Sequence, residues 1–410
     1  MARTELFLGL DIGSSTVRAV LAEERGEEGL VLVGVSEVGT EGVRKGAVVV
    51  PETVSRSIGR AVREVRKQAG RVTIDHAFVS VGEPRLATHV SRGAVSVSRA
   101  DGEVTKEDVS RAGDAAEAAL PRLSNREVIH SFPLGYTIDR DTNIREPVGL
   151  VGSKLEVETL FVTSFSVNLK NLVKAVAGAG LAVDDFVAAP LAASCHALGK
   201  KQKEVGSLLL DVGAQTTNLA VFEEGQLILL EILPVGSNHI TQDIGLGFQL
   251  DLASAERVKR DLGAFLEQGK KEIRLADFPK NFENTFSPKK LKDIVSARLG
   301  DIFELTQKHL KRIDRSELLP GGVILVGGGA RLFDVLEAAR EALRIPAEIS
   351  QGTPGITIMK KDFIAGPEWA TAIGLVRYAS LEREPQSRLL ELFSSPFSRR
   401  LAKLFRALIP

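Results

Sequence analysis

The chain has 410 residues, 44% hydrophobic and 26% charged, the composition of a folded globular protein with room for two or more cores. Its 53 Lys and Arg balance 53 Asp and Glu, so no global field draws it to nucleic acid, and any electrostatic targeting must be local. The single cysteine, Cys195, excludes an internal disulfide framework and a cysteine zinc site and fits a reducing compartment. Residues 1–13 carry no leader pattern, and the longest apolar segment, 227–235, is broken by Glu231 and Pro234, so no membrane span is expected.

Taken in order, residues 8–18 form an apolar run that ends in Asp11, turns on Gly13, Ser14 and Ser15, and resumes as a second apolar run, which reads as a β-hairpin. The small residues at its tip leave backbone N–H groups and hydroxyls free to surround a phosphate, with Asp11 placed to hold the water shell of a metal. A strand over 30–38, a turn at 42–46 and a helix over 51–68 follow. The helix puts Val54, Ile58, Ala61, Val62 and Val65 on one face. From 77 to 162 the texture becomes that of a small α+β insert, with extended segments at 95–97, 127–138 and 154–163 and an Ala-rich helix over 108–120. Helices over 168–179, ended by Gly180, and over 186–198 lead to residues 207–221, which repeat the first grammar with Asp211, Gly213, Gln215 and Thr216. Two such hairpins about 200 positions apart predict a duplicated domain clasping one nucleotide.

Downstream come a strand over 226–234, helices over 239–248 and 252–262, a loop-like stretch over 270–290 and a helix over 291–313. A short strand at 323–326 enters Gly327-Gly328-Gly329-Ala330, a turn that lets backbone lie against a base or ribose, and an amphipathic helix follows. Residues 369–376 read as a small-residue helix for close packing, and 381–395 as a polar tether. In 395–410, Phe397, Leu401, Leu404, Phe405 and Leu408 share one helical arc, while Arg399, Arg400, Lys403 and Arg406 face the other way. That is the pattern of an in-plane helix on anionic lipid. No P-loop occurs, and the dinucleotide fingerprint fails where Leu250 follows Gly245 and Gly247. Adjacent Cys195 and His196 point different ways on a helix and read as packing residues, and His239 as a satisfied side chain.

The two hairpins, the helix before the second, the Gly-Gly-Gly-Ala turn and the Ala372-Ile373-Gly374-Leu375 helix together resemble the actin, sugar kinase and heat-shock chaperone ATPase fold. This is a duplicated α/β fold with a nucleotide cleft. Within it the chain resembles the FtsA family, on residues 130–136 with Asp139, Ile144, Glu146, Pro147, Val148 and Gly149, on 234–244, on 255–259 and on the amphipathic tail. The resemblance implies a first core half of 1–79, 164–203 and 372–382, an inserted subdomain over 80–163, and a second half of 204–228 and 320–371. It also implies an outer, FtsZ-facing subdomain over 229–319, a tether over 383–394 and a membrane helix over 395–410. The implied protein is an ATP-binding, filament-forming scaffold at the cytoplasmic face of the membrane. It anchors the FtsZ division ring at the septum, contacts later division proteins through the insert, and does not bind nucleic acid.

By the same resemblance, Gly13, Ser14, Ser15, Gly213, Gln215 and Thr216 hold the phosphates of ATP, and Asp11 and Asp211 hold Mg²⁺ through water. Gly236, Glu256, Lys259, Gly327, Gly328 and Gly329 complete the nucleotide-binding set. Lys292 and Arg298 lie on the helix that resembles the surface for the FtsZ C-terminal peptide. The chain departs from well-hydrolysing relatives in lacking a Gln or Glu over 187–192, which implies slow turnover or none, and in carrying Asn218 where an Asp is frequent. A PilM-type pilus-assembly protein and a sugar kinase or chaperone ATPase are the alternatives, and the basic amphipathic tail discriminates against both.

Overall fold

Apolar runs separated by tight polar turns dictate a meander at the start of the chain. The computed structural model describes residues 5–70, 72–121, 124–267, 273–274, 285–359 and 366–383. Glu5–Ile12, Thr16–Glu24 and Leu30–Gly39 pair antiparallel in succession. On the other side of Glu5–Ile12, His76–Val81 and then Ala182–Ala188 add in parallel. The second sheet repeats this plan. Ser207–Val212, Thr217–Glu223 and Gln226–Leu233 are antiparallel neighbours, while Val323–Val326 and Ala347–Ile349 extend the sheet in parallel from Ser207–Val212. The chain is thus an internal duplication, each half a meander followed by parallel crossovers.

Several boundaries differ from the sequence reading, among them the start of the outer subdomain, placed at 229 although strand Gln226–Leu233 belongs to the second sheet. Residues 186–188 belong to the strand Ala182–Ala188, and the helix is only Ala189–Ala197, with Pro190 in its first turn. A parallel strand buried on both faces has no alternation to betray it and looks like the start of a buried helix. Ile356–Ile358, placed by sequence in the second half, pairs in parallel with residues 30–32 and edges the first sheet. Residues 381–383 are not tether but the last turn of the helix Ala370–Arg383. The remaining tether and the tail over 395–410 lie outside the described residues.

Helix Pro51–Ala69 buries Val54, Ile58, Ala61, Val62 and Val65 on the first sheet, the face its apolar spacing predicts. Helices Ala189–Ala197 and Ala370–Arg383 run between the halves and pack at backbone distance. A Cβ on Gly374 would collide with the Ala192 carbonyl, and one on Gly9 would lie 2.8 Å from the Ala372 carbonyl. On the outer side of the second sheet, Ser237–Phe248, Leu252–Glu267 and Pro288–Arg312 share a core with it that includes Ile240, Val258 and Leu299.

The insert has a sheet of its own, Ala87–Ser96, Lys154–Phe165, Arg126–Ile138 and Asp141–Ile144, and a separate apolar core around Tyr136, Leu155 and Phe161. Its helix Lys106–Ala118 starts with a reciprocal cap. Thr105 Oγ1 accepts from Asp108 N at 3.2 Å, and Asp108 Oδ2 accepts from Thr105 N at 2.9 Å. Alanines line the buried side because the strand beneath carries Gly93, where a Cβ would collide with the Ala112 carbonyl. Ser80 and Val81 are still part of the first sheet, so the insert begins after them rather than at 80. It is pinned to that sheet by buried His130, whose Nε2 accepts from Ala188 N at 3.0 Å. Burial pushes the His130 ring down to about 3, keeping it the neutral acceptor this bond requires. The insert also touches the second half, through Arg145 and Glu224 at 2.6 Å and through Gln226 Nε2 donating to the Leu134 carbonyl at 3.0 Å. Among the described residues no helix is long and apolar enough to cross a membrane.

Candidate functional site

Both hairpin turns are closed by the same bond. Gly13 N donates to the Thr16 carbonyl at 2.9 Å, and Gly213 N donates to the Thr216 carbonyl at 2.9 Å. A Cβ at either glycine would press on that carbonyl at 3.0 Å, which is why small residues recur there. Strand register then sets Asp11 opposite Arg18 and Asp211 opposite Asn218.

The turns face one cavity of about 490 Å³ between the halves. Of the nucleotide residues expected from sequence, Asp11, Gly13, Ser14, Ser15, Asp211, Gly213, Thr216, Glu256, Lys259, Gly327 and Gly328 line it. Gln215, Gly236 and Gly329 do not. Gln215 Oε1 instead accepts from Lys45 N at 2.8 Å, reaching from the second turn to the first half. Gly236 backs the second turn: a Cβ there would stand 2.7 Å from the Gly213 carbonyl. Ser237 N and Asn238 N donate to the Gly213 and Ala214 carbonyls at 2.9 and 2.8 Å, fastening the start of helix Ser237–Phe248 to the turn. Gly329 packs against Val212, where a Cβ would lie 2.6 Å from the Val212 Cβ.

The two acids sit in unlike surroundings. Burial raises the Asp11 carboxyl above its usual range, opposed by Arg18 and by Ser80, whose Oγ donates to Asp11 Oδ1 at 2.9 Å. Asp211 is 8% exposed, and burial pushes it up to about 6, against hydrogen bonds from Asn218 Nδ2 at 2.8 Å and Thr371 Oγ1 at 3.5 Å. Asn218 Oδ1 is buried without a hydrogen-bond partner. Two aspartates and a spare amide oxygen suit a hydrated divalent cation, whose waters need acceptors, better than a bare one. Among the described residues no three His, Cys, Asp or Glu converge for direct coordination.

On the second half, Lys259 is 6% exposed and its Nζ reaches Glu256 Oε2 at 2.6 Å, Thr241 Oγ1 at 2.9 Å and the Ser237 carbonyl at 3.2 Å. Burial opposes the charge on Glu256, but hydrogen bonds from Lys259, Thr241 and Arg260 outweigh it and hold the carboxyl below its usual value. Across the mouth, Arg331 pairs with Glu368 at 2.7 and 2.8 Å, and Gly327 N donates to the Pro367 carbonyl at 2.9 Å.

Ser80, Thr371, Arg331 and Glu368 were missed by sequence. The available signal for the first two was a lone hydroxyl within an otherwise apolar or small-residue run. Lys292 pairs with Asp334 at 2.6 Å, and Arg298 is clamped by Asp243 at 2.7 and 3.0 Å and by Asp301 at 2.9 Å. Both residues, on helix Pro288–Arg312, thus hold intramolecular partners, mostly on neighbouring elements. Phe397, Arg399, Arg400, Leu401, Lys403, Leu404, Phe405, Arg406 and Leu408 lie outside the described residues. Cys195 is buried, the His196 ring fills the space left by Gly352, and His239 Nδ1 caps its own helix from Gly236 N at 3.1 Å, all packing or capping roles.

The family model for cell division protein FtsA matches residues 208–374, and that for the SHS2 domain inserted in FtsA matches 84–163. Cell division protein FtsA of Pseudomonas aeruginosa is 30% identical over 398 residues, covering 96% of this chain and 94% of its own length. The Bacillus subtilis protein is 29% identical, covering 95% and 86%. Among solved structures, the PilM-PilN type IV pilus biogenesis complex superposes with a TM-score of 0.65 at 21% identity, covering 90% of this chain and 97% of that one. Ethanolamine utilization protein EutJ of Carboxydothermus hydrogenoformans gives 0.54 at 16% identity, covering 91% and 90%. A duplicated actin-like core with an SHS2 insert, matched nearly end to end by these division proteins, places the chain in the FtsA cell division family.

Proposed function

We propose that the cleft binds Mg·ATP as a structural ligand and that the chain is a filament-forming scaffold tying the FtsZ ring to the membrane. The observation that carries the nucleotide reading is the pair of identically closed turns, each following an aspartate, on one cavity of about 490 Å³. That volume falls in the range of about 300–1,000 Å³ usual for small-molecule sites. Gly13, Ser14 and Ser15 on one side and Gly213 and Thr216 on the other would hold the phosphates, while Gln215 stands outside the cavity and reaches Lys45 instead. Asp11 and Asp211 would hold the water shell of Mg²⁺, and Glu256, Lys259, Gly327 and Gly328 the nucleoside. Gly236 and Gly329 shape the walls from behind. The metal, when bound, offsets phosphate charge.

Turnover is slow on this reading, because positioning an in-line water is most of what such a site supplies and the helix facing the phosphates presents Ala189 to the cavity. A ligand gripped by both halves favours one closed arrangement, and copies in one arrangement can stack. Membership in the FtsA family supports the division-ring role, with Lys292, Arg298 and their neighbours on the outer helix as the surface for the FtsZ C-terminal peptide. The insert is the surface for later division proteins. Residues 395–410, with four basic and five apolar side chains on opposite faces, support attachment to anionic lipid at the cytoplasmic face.

Titration calorimetry tests the site: wild type binds Mg·ATP, and Asp11→Ala loses most of that affinity while keeping its circular dichroism. Equal binding would move the site elsewhere. Sedimentation with anionic vesicles tests the tail. Leu401→Glu with Phe405→Glu leaves a folded, ATP-binding protein in the supernatant, and undiminished co-sedimentation would remove the tether.

A further inference from the structure

A second cavity, of about 860 Å³, opens on the first half beside the phosphate turn, with Ser15 in the wall of both. Its floor is the outer face of helix Pro51–Ala69, where Arg56, Arg60 and Arg63 fall within an arc of about 60° at helical spacing. These guanidinium groups are exposed, and among the described residues none forms an ion pair; Glu41 is the only acid in the wall. Elsewhere on the same helix Lys67 and Glu64 do pair, at 2.7 Å, so the bare cationic row is local.

Two of the three arginines are also held in place. Arg60 Nη2 donates to the Gly39 carbonyl at 3.3 Å and to Ser57 Oγ at 3.2 Å, and Arg56 Nη2 reaches Thr53 Oγ1 at 3.5 Å. The concavity comes from glycine. Gly178, at the end of helix Ser166–Gly178, comes so close that a Cβ would stand 2.6 Å from Ser55 Oγ. Arginine presents planar, permanently charged donors that fit phosphate oxygens in pairs, and three of them beside Thr40 and Ser55 hydroxyls offer far more donors than one small neutral ligand can use.

We infer that this cavity is a second anion site, taking a small multiply charged phosphate compound such as a diphosphate, distinct from the cleft between the halves. A concave wall that includes Ala179 and the end of strand Leu30–Gly39 with Thr40 favours a compact anion over a flat membrane surface or an extended peptide. Thr40 N donates to the Ser15 carbonyl at 3.0 Å, so an anion bound here lies one residue from the phosphate turn and would be felt there.

Inorganic pyrophosphate, titrated calorimetrically at fixed ionic strength into the full chain saturated with Mg·ATP, is the test. Wild type binds it, and Arg60→Glu with Arg63→Glu weakens binding at least tenfold while Mg·ATP binding and circular dichroism are unchanged. Arg56→Ala gives a smaller loss with no change in fold. Binding undiminished in the double variant, no pyrophosphate binding by wild type, or pyrophosphate displaced stoichiometrically by Mg·ATP would each overturn the proposal. Should the chain fail to bind ATP at all, the arginine variants still decide the matter, because they are read with pyrophosphate alone.

Discussion

The two hairpin turns share one closing bond and differ in what stands beside their acids. In the first half the parallel neighbour is His76–Val81, and its Ser80 hydroxyl donates to Asp11 while Arg18 lies opposite in the hairpin. In the second half the residue paired with Asp211 on the parallel neighbour is Val326, and the hairpin partner is the neutral Asn218. Asp11 thus has a close hydroxyl and a facing cation, whereas Asp211 has an apolar strand neighbour, the Asn218 amide and only a long bond from the Thr371 hydroxyl at 3.5 Å. Burial raises both carboxyls, and with the Asp11 charge nearby it carries Asp211 up to about 6. Duplication copied the backbone and left each half to settle its own electrostatics.

The sharpest way to break this comparison is at Gly327, which closes the apolar wall over Asp211. Its φ is +83°, and a Cβ would collide with Asp211 Oδ1 and lie 2.6 Å from the Val212 carbonyl. Gly327→Ala therefore adds backbone strain to overpacking, a loss of about 4 kcal/mol in urea unfolding. Gly328→Ala meets open space and changes stability by less than about 0.5 kcal/mol. Equal effects from the two substitutions would mean that the wall is not fixed.

Next in size is the acid itself. Because burial raises Asp211 from 3.8 to about 6, the native state holds its proton more tightly than the unfolded chain does. The stability this contributes is complete below a pH of about 4 and is lost as pH rises through about 6. Asp211→Asn removes that titration and gives the amide a partner in the orphaned Asn218 Oδ1. Urea unfolding without nucleotide should show the variant more stable than wild type above pH 6, by up to roughly 3 kcal/mol, with the gap closing toward pH 4. A gap that is constant with pH would mean that Asp211 is solvated after all.

These acids were legible in the sequence because an aspartate, a glycine and a small polar turn between apolar runs is a local pattern, and its repetition at Asp211 doubled the signal. Their partners were not. Ser80 and Thr371 lie 69 and 160 residues from the carboxylates they touch, and nothing in a run such as Ala-Phe-Val-Ser-Val says which strand will lie alongside. Long-range parallel pairing hid the strand Ala182–Ala188 in the same way, and it hid the edge strand Ile356–Ile358, which crosses back to the first sheet. The glycine run at 327–329 was seen, but as one unit. Packing divides it into residues facing the cavity and Gly329 behind them.

The smallest expected effect concerns the only side chain of either turn seen bridging the halves. Gln215, expected from sequence to touch phosphate, instead accepts from Lys45 N at 2.8 Å, and the next residue, Gly46, donates its N–H to Ser14 Oγ at 2.9 Å. The loop at 45–46 therefore holds both hairpin turns at once, one bond to each. The first-half bond stays within a packed body, since Gly46 is pressed so closely to the Gly82 carbonyl that a Cβ would collide with it. The second-half bond has no such backing, and under the proposed closure it is the one that would form and break with the two halves. Gln215→Ala removes one exposed hydrogen bond, a net loss of about 0.5–1.5 kcal/mol from the closed arrangement alone. Unfolding stability should then hardly change, while Mg·ATP affinity falls by a factor between about two and ten, because the closed arrangement must be re-formed at the ligand's expense. Ser14→Ala, by contrast, should lower stability and affinity together. A loss of ATP affinity beyond about a hundredfold in Gln215→Ala would show that the amide grips phosphate directly and that the bridge to Lys45 is secondary.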